Sequence, residues 1–151
     1  MYGMGMATEY LVQLAVTLTP KIGVAAPEVR VSVPGHSVTH VLQQTEKIHL
    51  EFVATSGWLE INFCNKPDLD HDMAVMVDSV EFFGISDPRF VWQGVYRPTY
   101  PEPWYSQQCP SPAPTLPACN YLGWNGCWRL DFDVPVFTWI HKIQNLGWIY
   151  Q

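Results

Sequence analysis

Three aspartates stand at every second position in the stretch Asn65-Lys66-Pro67-Asp68-Leu69-Asp70-His71-Asp72. Carboxylates crowded into one short loop are hard oxygen ligands, and a calcium ion gathers about six to eight oxygens. Asp68, Asp70 and Asp72 are therefore the candidate metal ligands, and calcium the candidate cofactor. The spacing matches the start of an EF-hand loop, but Met73 stands where that loop requires glycine and Ser79 where it requires glutamate. No helix pattern flanks it, so an EF-hand is excluded. The alternative to a cation site is a solvated acidic turn between two strands.

A second constellation is aromatic. Trp92, Tyr96, Tyr100, Trp104 and Tyr105 run into a segment, residues 98 to 117, that holds seven of the thirteen prolines. Sugar rings present C–H faces that stack on tryptophan and tyrosine, and a proline-stiffened loop holds such a platform at low entropic cost. Trp92 reads as a core residue. Tyr96, Tyr100, Trp104 and Tyr105 are the candidate carbohydrate-binding or interface residues.

Catalysis finds little footing. Glycoside hydrolysis needs two carboxyl groups facing each other across a cleft. Glu60, Asp78, Glu81, Asp131 and Asp133 occupy strand positions where acids form the solvent face. The five histidines are scattered, and neither Ser79 nor Ser86 sits in a G-x-S-x-G context. The chain reads as a non-enzyme.

These residues need strands to position them. Glu9 to Thr19 alternates with Tyr10, Val12, Leu14, Val16 and Leu18 on one face, the signature of a half-buried strand. Glu28 to Val33 repeats the design, Pro34-Gly35 marks a turn, and Ser37 to Leu42 supplies a short strand. Lys47 to Ala54 and Trp58 to Cys64 predict a hairpin across Thr55-Ser56-Gly57. Met73 to Phe83 is apolar on both faces and suits a central strand. Arg89 to Tyr96 predicts another, with Gly94 a bulge. Trp128 to Val134 alternates cleanly, and Phe137 to Tyr150 supplies one or two closing strands. Seven to nine strands joined by turns, with a long proline-rich loop at 97 to 119, predict an all-β protein, an antiparallel β-sandwich of jelly-roll type. Residues 1 to 8 read as a tail and 9 to 151 as one domain.

The totals set the partners. Only 15% of residues are charged, against about a quarter in typical soluble domains. Seven Trp, seven Tyr and seven Phe must fill a β core or meet another surface. Eight basic residues, no two adjacent, and a net charge of −6 disfavour nucleic acid. No stretch approaches the roughly 20 apolar residues that span a bilayer, and no secretory n-region precedes Lys21. Cys64 and Cys127 lie in strand patterns and read as buried thiols. Cys109 and Cys119 bracket CPSPAPTLPAC, either as a disulfide closing that loop or as free thiols. No zinc-ligand spacing occurs.

The run WLEINFCNKPDLDHDMAVMVDSVEFFGI resembles part of the small calcium-dependent, xylan-binding-type carbohydrate-binding modules. Asn65-Lys66 stands in the place of their Asn-Asp-like dipeptide and Val77-Asp78-Ser79-Val80 in their following strand, while PEVRVSVPG is similar to an early strand and turn. The exit GVYRPTYPEPW is similar to accessory proteins of tailed-phage virions. The resemblance implies a non-catalytic sandwich with a glycan-facing role. It also implies a place on the virion surface after assembly in the host cytoplasm, with other virion subunits as oligomeric partners. The competing expectation is a structural phage adaptor whose aromatic loop is a subunit interface.

Overall fold

The computed structural model describes residues 8–68 and 72–144. The expected tail lies almost wholly outside the described residues, as do the last residues of the expected closing strands. Eleven strands occur among the described residues: β1 (Tyr10–Lys21), β2 (Glu28–Val33), β3 (His36–Val41), β4 (Glu46–Ala54), β5 (Gly57–Phe63), β6 (Ala74–Phe82), β7 (Ile85–Ser86), β8 (Val95–Pro98), β9 (Leu116–Pro117), β10 (Tyr121–Leu122) and β11 (Gly126–Phe132). Two helices complete them, α1 (Pro88–Trp92) and α2 (Val136–Ile143). Sheet A runs β10-β6-β1-β4 with β7 beside β6; sheet B runs β3-β2-β5-β11-β8-β9. Every pairing is antiparallel. The fold is an all-β sandwich, as expected from the alternating segments.

The core is the set of inward positions those alternations define: Val12, Leu14, Val16 and Leu18 of β1 and Ile48, Leu50 and Phe52 of β4 face Val29, Val31, Leu59, Ile61 and Leu130 of the other sheet's strands. Each such side chain, removed from water, stabilises by roughly 1.5–3 kcal/mol before the entropy of ordering it is subtracted. The Pro34-Gly35 turn joins β2 to β3, with Gly35 at φ +76, a conformation glycine adopts without steric cost.

The expected hairpin of residues 47 to 64 is not one. β4 pairs with β1 in sheet A, whereas β5 pairs with β2 and β11 in sheet B. The link at Thr55-Ser56 is an arch between the sheets, and both strands turn their apolar faces into the same core. The apparent two-sided apolarity of residues 73 to 83 also has a local cause. The β1–β6 register shifts between Thr17 and Leu18, leaving Asp78 between the paired residues Val77 and Ser79. That bulge changes the inward phase from Val75 and Val77 to Val80 and Phe82.

Two expected strands are helical in part: residues 95 and 96 of the first do join a strand, β8, and residues 145 to 150 of the second lie outside the described residues. Pro88–Trp92 forms α1 because Asp87 caps it, its carboxylate accepting from the Arg89 N–H at 2.9 Å, and Pro88 fills the first turn. Trp92 therefore leaves the core and is 58% exposed. Gly94 is no bulge: a Cβ there would lie 2.1 Å from the Trp128 ring. Val136–Ile143 forms α2, whose Val136, Trp139, Ile140 and Ile143 recur at helical spacing and turn to the core.

These helices close one end of the sandwich. Trp139 and Phe90 pack on Phe82 and Phe132, with ring centroids 4.8 to 6.0 Å apart within the group. Asp87 ties α1 to the end of α2: its carboxylate takes two bonds from the Arg89 guanidinium, at 3.0 and 2.8 Å, and one from the Gln144 amide at 3.2 Å. Arg89 also donates to the Gln144 carbonyl at 3.2 Å. The Arg89 bonds hold the Asp87 carboxyl down at about 2 against the opposing effect of burial.

Candidate functional site

Among the described residues, loops and a single 3-10 turn form the opposite end. β5, β8 and β1 finish there and β6 and β11 begin there, so the acidic loop, the proline-rich loop and the turn at residues 123 to 125 meet. Side-chain amides bind them together. Asn65 accepts from the Glu28 N–H at 2.8 Å and donates to the Ala26 carbonyl at 3.0 Å. Asn125 accepts from the Lys66 N–H at 2.9 Å and donates to the Lys66 carbonyl at 2.8 Å, the paired geometry of a strand partner. The Asn125 carbonyl in turn takes the Thr99 N–H at 2.8 Å, and the Trp124 indole donates to the Thr99 carbonyl. The Lys66 ammonium donates to the Gly123 carbonyl at 2.8 Å and lies 5.8 Å from the Trp124 ring centre.

The acidic loop begins from this anchor. Asp68 and Asp72 are exposed, and Asp70 lies outside the described residues together with Leu69 and His71. Asp72 is paired with Lys21 at 2.9 Å, and this bond raises the lysine's pKa. Among the described residues, no three His, Cys, Asp or Glu side chains are placed to hold a metal ion.

The proline-rich loop is ordered by its own rings. Tyr100 stacks on Tyr105 with centroids 5.2 Å apart and planes 13° from parallel, and Trp104 lies 5.7 Å from Tyr100 at 37°. The Tyr100 hydroxyl donates to the Ala113 carbonyl at 3.1 Å, and partial burial and nearby Tyr105 raise its pKa. A 3-10 turn at Tyr105–Gln107 follows, with the Tyr105 N–H donating to the Pro101 carbonyl at 2.9 Å. The Gln108 amide ties back to the Trp104 carbonyl at 3.0 Å. All three rings are half-buried, each retaining surface that meets water.

Tyr96 does not belong to this platform. It is 1% exposed, an inward residue of β8 opposite Trp128, and burial drives its hydroxyl pKa strongly upward. Period-two alternation decided its fate: with Arg97 outward, Tyr96 had to point in. Trp124 is the aromatic that sequence reasoning missed; its Gly123 and Asn125 neighbours marked a turn at the same end. Cys109 and Cys119 are free thiols. Cys64, expected in the core, is exposed just past the end of β5. Its thiol faces Glu28, and its pKa is raised by desolvation and that contact. Cys127 is half-buried, with a thiol pushed up to about 11 by burial and Glu60.

The acids considered for catalysis are scattered over the outer faces of both sheets and the strand ends. Glu81 pairs with Lys47 at 2.6 Å, Asp133 with Lys142 at 3.2 Å, and Asp78 accepts from the Thr19 hydroxyl. Glu60 and Asp131 both bind Arg129.

No family model matches the chain, and no curated protein matches it. Among solved structures it is similar to a calcium-dependent carbohydrate-binding module, the selenomethionine form of vCBM60. The identity is 18%, the match covers 80% of this chain and 90% of that one, and the TM-score is 0.49. No helix among the described residues is long and apolar enough to cross a membrane.

Proposed function

We propose that the chain is a non-catalytic adhesion module whose loop end binds glycan, displayed in many copies on a larger assembly such as a virion surface. The observation that carries this is the ring cluster of Tyr100, Trp104 and Tyr105. These rings are stacked and hydrogen-bonded into a fixed arrangement, yet half-open to water, at the loop end of the sandwich. Rings fixed before binding lose little freedom on meeting a sugar face. Weak single sites gain strength when many copies act together. In this reading Asp68, Asp70 and Asp72 would hold a calcium ion that binds sugar hydroxyls, once Asp72 exchanged Lys21 for the metal.

The test is glycan-array binding by the native chain and Trp104→Ala, each with calcium and with EDTA. Binding that Trp104→Ala reduces about tenfold or more supports the reading, and loss in EDTA adds the cation. A chain that binds no glycan and self-associates through the loop end in size-exclusion chromatography would replace it with the structural-subunit reading.

A further inference from the structure

We propose that the outer face of sheet B is a second binding site, separate from the loop end, for a linear glycan that carries carboxylates. The strand register lays Arg30, Asn62, Cys127 and Arg97 in one outward row across β2, β5, β11 and β8. Three inter-strand steps make that row roughly 14 Å long, a span suited to a short oligosaccharide. The next row carries Ser37, Ser32, Glu60 and Arg129. Of these, Arg30, Asn62, Ser32, Ser37 and Glu60 border, together with Trp58, a shallow groove of about 430 Å³, within the range of small-ligand sites; Cys127 and Arg97 continue the row beyond it.

The charges on this face are unequally engaged. Arg129 is held by Glu60 at 2.8 Å and Asp131 at 3.0 Å, and its guanidinium lies 5.0 Å from the Trp58 ring centre, which fixes that ring. Arg30 spends only its Nε, on the Ser37 hydroxyl at 2.8 Å, which in turn meets Ser32 at 3.0 Å. Its two terminal amino groups have no partner among the described residues, and neither does any part of the Arg97 guanidinium. Glu28, one row further along, is turned to the Cys64 thiol. The two rows thus hold three arginines and one carboxylate, Glu60, with Asp131 and Glu28 on the flanking rows, in a chain whose net charge is −6.

An unengaged guanidinium is a planar fork matched to a carboxylate, and it binds best when something else already fixes it, as Ser37 fixes Arg30. Two such forks at the ends of a row of neutral hydrogen-bonding groups fit a chain with acids at its ends and hydroxyls between. Only two unengaged cations, on a face that also carries Glu60, Asp131 and Glu28, are too few for a phosphate backbone, whose binding rests on many neutralised charges. Trp58 and the Asn62 amide supply the stacking face and hydrogen bonds a pyranose takes.

Isothermal titration of the full chain with trigalacturonate, xylotriose and single-stranded DNA tests this. Trigalacturonate should bind, xylotriose at least tenfold more weakly, and raised salt should weaken the acidic ligand. The double substitution R30Q/R97Q should lower trigalacturonate affinity about tenfold or more. R97Q alone, which leaves the Arg30–Ser37 contact intact, should lower it severalfold. Equal affinity for acidic and neutral trisaccharides, no response to either set of substitutions, or tighter binding of DNA would overturn the site. Trp104→Ala reads the loop end alone, so failure of one site is distinguishable from failure of the other.

Discussion

The two ends of the sandwich use the same kind of side chain to opposite effect. At the helical end Phe82, Phe90, Phe132 and Trp139 meet edge-on or tilted and exclude water, because two amphipathic helices lay their apolar faces over the strand ends. At the loop end Tyr100, Trp104 and Tyr105 lie on a proline-punctuated segment that forms only a short 3-10 turn between the brief strands β8 and β9. They stack on one another and stay half-open. Ring content alone therefore does not decide what an aromatic segment does. The backbone that carries the rings does, by allowing or denying them a second layer to sit against.

The comparison can be broken most directly at the helical end. Trp139→Ala removes the ring that touches three others and should cost about 3–5 kcal/mol in urea unfolding. A loss below about 1 kcal/mol would mean that α2 is an ornament on the fold. Next in size is the Asp87 staple. Asp87→Asn should cost about 2 kcal/mol at neutral pH, by removing the charge that two bonds from Arg89 stabilise. The native carboxyl is held at about 2, below its unfolded value of about 4. The stabilisation is accordingly complete above pH about 4 and lost as the pH falls through about 2. Thermal melts across that window should show a steeper acid decline for the native chain than for Asp87→Asn. Smallest is Trp104→Ala, which should move the unfolding free energy by less than about 1 kcal/mol, since its ring contacts are partial. A cost rivalling that of Trp139→Ala would show that the loop end is a second core and not a surface.

Sequence pattern revealed facing better than pairing. β1, β2 and β11 were legible because each alternates over its full length. The partners of β4 and β5 were not: alternation says which side of a strand is apolar, and an arch between sheets buries those sides as well as a hairpin does. The bulge at Asp78 disguised one inward face as two. Asp87-Pro88 is a capping signal, but the apolar and aromatic residues that follow it fit a strand pattern equally well. At α2 a short apolar run fits either period, and only packing against Phe82 and Phe132 chose the helix. Of the candidate site, the sequence placed Tyr100, Trp104 and Tyr105 together in one proline-rich loop, and the structure adds their stacking on one another. Trp124 binds the Thr99 carbonyl 25 residues away and the Asn125–Lys66 pairing joins residues 59 apart in sequence, and no local pattern announces such long-range stitches.

The position of β11 sets an order on how the molecule can be made. This strand fills the slot between β5 and β8, so until residues 126 to 132 emerge during synthesis the rest of sheet B has a gap in its middle. The Asn125 clasp on Lys66 waits for the same moment. A nascent chain halted short of that point would leave the N–H and C=O groups along one edge of β5 unpaired, an open template for pairing with another chain.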